Sequence, residues 1–301
     1  MGLAVATSLA QKGWKVNIAD LNEQAGEKAA SNLKAHFFKT DVNNYASLSS
    51  TFQKTFEIHG KINFVFANAG VGERKNFYAS DNDISEPPVG LDFIIDIDLK
   101  SVINTAHLAL HYFRRQTSKE PACLILNASI AGIYPVRFCP IYTAAKHGVI
   151  GFGKAIARHF HQNDGVRVNI LCPGNVRTNL FEKKEWDAFD NEWIELSQIV
   201  KIVELMLFDE EMEGKIIEAA PKNHYFISPA EYNDPNVKRT LEGSVVDSIG
   251  IWGQLHGLGR RNEDFVYKAQ YVREPNTKDS KTVISNHVTY FENLSIVTMH
   301  L

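Results

Sequence analysis

Tyr142 and Lys146 stand at i and i+4 at the head of a stretch with helical spacing, and Ser129 lies upstream at the end of an apolar run. Residues four apart share one helix face, so the lysine ammonium can approach the phenol and draw its pKa down from about 10 toward neutrality. A phenol tuned in this way exchanges protons with a bound oxygen, and a serine hydroxyl at a strand end can hold that oxygen against it. The chemistry implied is proton transfer to or from an alcohol or carbonyl oxygen during hydride transfer. Tyr-x-x-x-Lys is a short pattern that many unrelated helices contain, so the surrounding elements must carry the argument.

Those elements alternate. The apolar runs 15–20, 35–41, 62–67, 122–127, 166–172 and 215–220 are separated by amphipathic segments, the pattern of βα units in a doubly wound parallel sheet. Ile95, Leu99, Val102, Ile103, Ala106, Leu110 and Phe113 recur at spacings of three and four, which predicts one long core-facing helix over residues 91–116. In such sheets ligands bind beyond the carboxyl ends of the strands. The residues standing there are Asp20, Asp41 with Val42, Asn68-Ala69-Gly70, Ser129, and Pro173 with Gly174.

In their order and spacing these residues resemble the short-chain dehydrogenase/reductase family, closely over residues 2 to about 180 and loosely to about 225. Around Tyr142, Lys146 and His147 the likeness is to its NAD-dependent 15-hydroxyprostaglandin dehydrogenase branch. The resemblance implies a Rossmann-type α/β fold, NAD as cofactor and a small-molecule secondary alcohol or ketone as substrate. It implies that Tyr142 as phenolate takes the hydroxyl proton, Ser129 steadies the oxygen, and Lys146 lowers the tyrosine pKa and holds the nicotinamide ribose. Gly2 then matches the last glycine of the dinucleotide fingerprint, and Asp20 the acidic residue on the adenosine ribose. A carboxylate there accepts from both ribose hydroxyls and repels a 2′-phosphate, which favours NAD over NADP. Asp41 and Val42 are expected beside the adenine, Asn68, Ala69 and Gly70 where backbone approaches the cofactor, and Pro173, Gly174, Val176 and Thr178 at the nicotinamide end. The family likeness also implies a homo-oligomer built on the helices at 91–116 and 142–160. Each motif has a plainer reading as well: Asp20 as a strand-end turn residue, Asn68-Ala69-Gly70 as an ordinary turn, Pro173-Gly174 as a loop breaker.

Two departures from the family pattern stand out. Where the family has an asparagine that helps hold a water linked to the catalytic lysine, this chain has Asp98. An ionised carboxylate is acceptor-only and competes with Tyr142 for the influence of Lys146. The sequence also opens at Met1-Gly2, so the first strand and the first two fingerprint glycines have no counterpart, and an N-terminally truncated chain is expected. In this fold the missing strand is central, between the Asp20 strand and the Phe64 strand, and its loss is expected to leave two buried edges unpaired.

A length of 301 residues with 44% hydrophobic content supports one large core, and the expected division is a nucleotide-binding domain over 1–230 and an extension over 231–301. A net charge of −3, with no basic run, argues against a nucleic-acid partner. No apolar run approaches the ~20 residues of a membrane span. Cys123, Cys139 and Cys172 lie in or near strands and read as reduced thiols, so a cytoplasmic protein is expected. His107 and His111 share a helix face without a third ligand in a plausible place, and no metal site is expected. Over 179–212, Trp186, Phe189, Trp193, Leu196, Ile199 and Ile202 form either an apolar lid for a bulky substrate or the packing of two amphipathic helices. Residues 244–301 carry no fingerprint, repeat or clear helical period and are expected to be dispensable for the core. Two further readings stay open: a non-catalytic dinucleotide-fold relative that binds a partner, and an NADP-dependent carbonyl reductase, which Asp20 opposes.

Overall fold

The apolar runs fold into strands that are buried on both faces. The computed structural model describes residues 1–79, 85, 87–88, 90–116, 121–181, 183–187, 192–242 and 296–300. In chain order the first elements are α1 (Gly2–Gln11), β1 (Lys15–Asp20), α2 (Glu23–Leu33), β2 (His36–Lys39), α3 (Tyr45–His59), β3 (Phe64–Ala67), α4 (Leu91–Ile95) and α5 (Ser101–Arg115). They are followed by β4 (Ala122–Asn127), α6 (Pro140–Asp164), β5 (Val166–Pro173), α7 (Lys183–Asp187), α8 (Leu196–Phe208), β6 (Ile216–Ala219), β7 (His224–Phe226) and β8 (Ile296–His300).

Successive strand residues point to opposite faces, and here both faces are covered by helices. Phe64, Phe66, Cys123, Ile125 and Leu171 pack with Val5 and Leu9 of α1, Ala29 of α2, and Ile199 and Val203 of α8. Val65, Ala67, Leu124, Leu126, Val168 and Ile170 pack with Leu48 and Phe52 of α3, Val102 and Phe113 of α5, and Val149 and Phe160 of α6. The two core layers thus hold the sheet between them, and the carboxyl ends of the strands are left to carry the site. One buried cation inside the layers is fully engaged. The buried Arg167 guanidinium on β5 donates to the carbonyls of Met206, Leu207 and Asp209 at 2.7, 2.7 and 2.9 Å, which caps the C-terminal end of α8 with a cation.

The helix expected over 91–116 is one run in three geometries: α4, a π-helical turn over Asp96–Lys100, and α5. The wider turn is where Asp98 enters the interior, and such bulges recur at functional sites.

The sheet order is β2-β1-β8-β3-β4-β5-β6-β7. Pairs β1–β2, β3–β4, β4–β5 and β5–β6 are parallel, β7 is antiparallel to β6, and β8 is antiparallel to both of its neighbours. The slot between the Asp20 and Phe64 strands is therefore filled, with Thr298 opposite Asn17 on one side and Val65 on the other. The two edges expected to be unpaired have a partner, and it comes from the stretch expected to be dispensable. The physical reason is the same that made the gap implausible: buried backbone N–H and C=O groups must be paired, and Ile296-Val-Thr is a β-branched run suited to the task.

The chain divides into two compact units, one comprising Met1–Ile227 with Tyr290–Leu301, the other Ser228–Thr289. The C-terminal residues fall in the first unit because β8 belongs to its sheet. The described part of the second unit includes a helical stretch over 235–242.

Candidate active site

Ser129 follows β4 and caps a 3₁₀ turn over Ile130–Gly132, its Oγ accepting the Ala131 N–H at 3.1 Å. Tyr142 lies in the first turn of α6, which starts at Pro140 with no side-chain cap from Cys139. The first N–H groups of a helix need partners outside it, and that of Tyr142 donates to Glu73 Oε2 at 2.9 Å. Glu73 comes from the loop after β3 and is buried, so it ties the tyrosine's backbone to that loop. No sequence signal marked Glu73, because its partner is a main-chain group distant along the chain.

One turn further, Lys146 Nζ lies 3.2 Å from Asp98 Oδ1, 3.3 Å from the Asn127 carbonyl oxygen and 5.4 Å from the centroid of the Tyr142 ring. Asp98 Oδ1 also accepts the Val71 N–H at 3.1 Å, while its buried Oδ2 has no hydrogen-bond partner. Gly70 is small for a reason visible here. A Cβ at that position would sit 2.8 Å from Asp98 Oδ1 and 3.4 Å from Lys146 Nζ. The glycine of Asn68-Ala69-Gly70 thus makes room for the ion pair, and Asn68 Oδ1 accepts from Asn127 Nδ2 at 3.3 Å behind it.

The charges respond to this packing. Burial raises the Tyr142 phenol above the usual tyrosine range; Lys146 and a hydrogen bond from Ser129 pull it down, and Asp98 pushes it up again. Burial on its own lowers Lys146, yet Asp98 and Tyr142 together hold it above the usual lysine range. The Asp98 carboxyl is raised by burial against the opposing pull of Lys146 and the Val71 N–H. The lysine therefore acts on the Asp98 carboxyl as well as on the phenol.

Ser129, Tyr142 and Lys146 line a cavity of about 90 Å³ together with Asn68, Gly70, Pro173, Gly174, Val176, Thr178 and Trp186. Beside it is a cavity of about 630 Å³ whose wall includes Asp20, Lys28, Arg177, Leu3 and Ala4, with Met1 and Thr178 common to both. The N-terminal end of α1 contributes Met1, Leu3 and Ala4 to the wall of this larger space, and Asp20 is held by its own turn, Oδ1 accepting the Asn22 N–H at 2.7 Å. Of the remaining expected residues, Gly2 and Ala69 are buried beside these walls without lining them, Asp41 is exposed with Oδ1 accepting the Asn43 N–H, and Val42 belongs to the core.

The aromatic segment divides between its two readings. Trp186 is buried against the small cavity, edge-on to Phe181 and Trp193, with Nε1 donating to the Thr178 carbonyl at 2.7 Å. Ile199 and Ile202 instead fill the core beneath α8, Leu196 is largely exposed, and Phe189 lies outside the described residues. His107 and His111 are exposed on α5, and among the described residues no group of three or more His, Cys, Asp or Glu is gathered. No helix of the described residues is long and apolar enough to cross a membrane.

Residues 1–188 match the family model described as short chain dehydrogenase, and the chain belongs to that family. Among its relatives is the short-chain dehydrogenase/reductase prx7 of Penicillium rubens, 39% identical over 276 residues, covering 82% of this chain and 97% of that protein. Human 15-hydroxyprostaglandin dehydrogenase [NAD(+)] is 32% identical over 209 residues, covering 67% of this chain and 73% of that one. A crystal structure of a short chain dehydrogenase from Mycobacterium smegmatis superposes with a TM-score of 0.61 at 21% identity, over 74% of this chain and 87% of that one, which shows the shared fold. Members of the family are oxidoreductases that bind a nicotinamide dinucleotide and act on small molecules.

Proposed function

We propose that the chain is an NAD-dependent oxidoreductase acting between a secondary alcohol and its ketone, with Tyr142 as the group that exchanges the proton. The observation that carries this reading is the convergence of Ser129, Tyr142 and Lys146 on one cavity wall, continuous through Met1 and Thr178 with a larger cavity that ends at Asp20. The residues fit a nicotinamide dinucleotide: a carboxylate, Asp20, at one end, a helix N-terminus between, and Pro173 and Gly174 on the wall of the smaller cavity at the other end. When bound, that group supplies or receives the hydride. Tyr142 gives or takes the proton at the substrate oxygen, Ser129 Oγ orients that oxygen, and Lys146 holds the nicotinamide ribose. Pro173, Gly174, Val176 and Thr178 border the nicotinamide end, and Asn68, Ala69 and Gly70 form the floor behind it. Gly2 opens the helix toward the pyrophosphate, Asp20 takes the adenosine ribose, and Asp41 and Val42 stand at the adenine side. Leu180 and Trp186 give the substrate an apolar wall. We place the protein in the cytoplasm as a homo-oligomer assembled on α5 and α6.

Asp20 supports NAD, as does the cofactor named for the human relative. Lys28 and Arg177 on the wall of the same cavity support a second reading, in which a 2′-phosphate is accepted and NADP is used. Thermal shift of the full chain with each dinucleotide, followed by turnover on a panel of secondary alcohols and ketones, separates the readings. A ligand at a hundred times its Kd adds about 2.7 kcal/mol of stability. Stabilisation by NAD with turnover is the expected result; stabilisation by NADP alone selects the second reading, and binding without turnover on any substrate identifies a non-catalytic relative.

A further inference from the structure

We propose that Asp98 is a positioning residue that sets the charge of the Tyr142–Lys146 pair and thereby the pH range in which each direction of the reaction is catalysed, keeping Tyr142 a proton donor for carbonyl reduction at neutral pH. This rests on the reading of Tyr142 as the proton-exchanging group. The geometry is a buried ion pair beside a half-buried phenol: Asp98 and Lys146 are 0% and 2% exposed with 3.2 Å between Oδ1 and Nζ, and the same Nζ faces the Tyr142 ring. With the carboxylate ionised and the lysine protonated, the trio is neutral for as long as Tyr142 keeps its proton. Loss of that proton leaves one uncompensated negative charge beside the buried Asp98–Lys146 pair, which desolvation opposes. Without the carboxylate, the same proton leaves a cationic pair and yields a neutral one. The count holds whichever of the two groups releases the proton, because strongly coupled sites titrate together.

Among the described residues, the other titratable groups packed on the pair add no second cation. Glu73, from the loop after β3, brings a further carboxylate against the Tyr142 N–H, and its Oε1 is buried without a partner. Cys139 at the head of α6 and Cys172 on β5 have thiols pushed up to about 12, chiefly by burial, so both stay neutral. Ser129 offers only a hydroxyl. In carbonyl reduction the substrate carbon would take a hydride, with its electron pair, from a reduced nicotinamide cofactor, which is oxidised. The carbonyl oxygen takes the Tyr142 proton, and the phenolate recovers a proton from solvent.

The test is Asp98→Asn in the full chain, whose amide oxygen can still accept from the Val71 N–H and Lys146. The acidic limb of the alcohol-oxidation profile and the alkaline limb of the carbonyl-reduction profile should both move down by about 1–2 pH units. Limbs that stay in place overturn the proposal. If the variant fails to fold, ultraviolet difference titration of wild type against Tyr142→Phe decides: Tyr142 ionising above about pH 9 supports the proposal, and ionisation at or below that value overturns it. Turnover retained by Tyr142→Phe would instead sink the catalytic reading, whether or not the phenol of Tyr142 shifts in Asp98→Asn.

Discussion

From β3 to β6 every strand lies parallel to its neighbour, whereas on the other side of β3 the sheet continues to β1 through an antiparallel strand from the far end of the chain. The first region carries Ser129, Tyr142, Lys146 and Asp98; the second supports the wall that ends at Asp20. The difference separates two kinds of dependence. On the proposed reading, catalytic geometry depends on local elements and one ion pair, and the cofactor wall on a strand pairing that is remote in sequence.

The largest expected effect comes from removing chemistry without touching the sheet. Tyr142→Phe should lower turnover by roughly a thousandfold or more, near the upper range for a general acid or base. Its melting temperature and NAD binding should stay close to wild type, and turnover near wild type would sink the assignment. Thr298→Pro does the reverse. It removes a backbone donor from a strand paired on both sides and should cost on the order of 3 kcal/mol. Melting temperature and dinucleotide affinity should fall together; a variant with unchanged melting temperature would show that β8 does not hold the sheet in solution. Ser129→Ala returns to the catalytic region, with a loss of about a hundredfold in kcat, as for one positioned donor in a transition state. The smallest effect tests the far wall: Asp20→Ala with Leu21→Arg should move the ratio of kcat/KM for NAD and NADP toward NADP, by about tenfold if the ribose contact is worth one charge-assisted hydrogen bond. An unchanged ratio would mean that Asp20 does not face the ribose.

The legibility of the sequence follows the same division. Strands β1 and β4 were readable to the residue and β3, β5 and β6 to within about two residues, because continuous apolar runs mark strands buried on both faces. Ser129, Tyr142 and Lys146 were readable because one strand end and one helix face bring them together over a short stretch of chain. The π turn was not, since the apolar spacing at Ile95, Leu99 and Val102 suits an unbroken α-helix and the extra residue is absorbed without changing it. Glu73 was invisible because it answers a backbone N–H, which has no sequence signature. β8 was missed for a related reason: five residues are too few to show a period, and what makes them a strand is the pair of edges waiting elsewhere in the chain.

The position of β8 also orders events in time. Residues of α1 and β1 emerge from the ribosome before Ile296–His300 and face a vacant groove in the sheet until those have been made. Throughout that interval the edges of β1 and β3 are open to any strand that arrives earlier, including one from a neighbouring nascent chain, and such exposed edges promote misassembly. Closure of the sheet therefore waits on a segment remote in sequence from β1 and carries the loop entropy of that separation, and the cell's chaperone capacity during that window bears on how much folded protein is obtained.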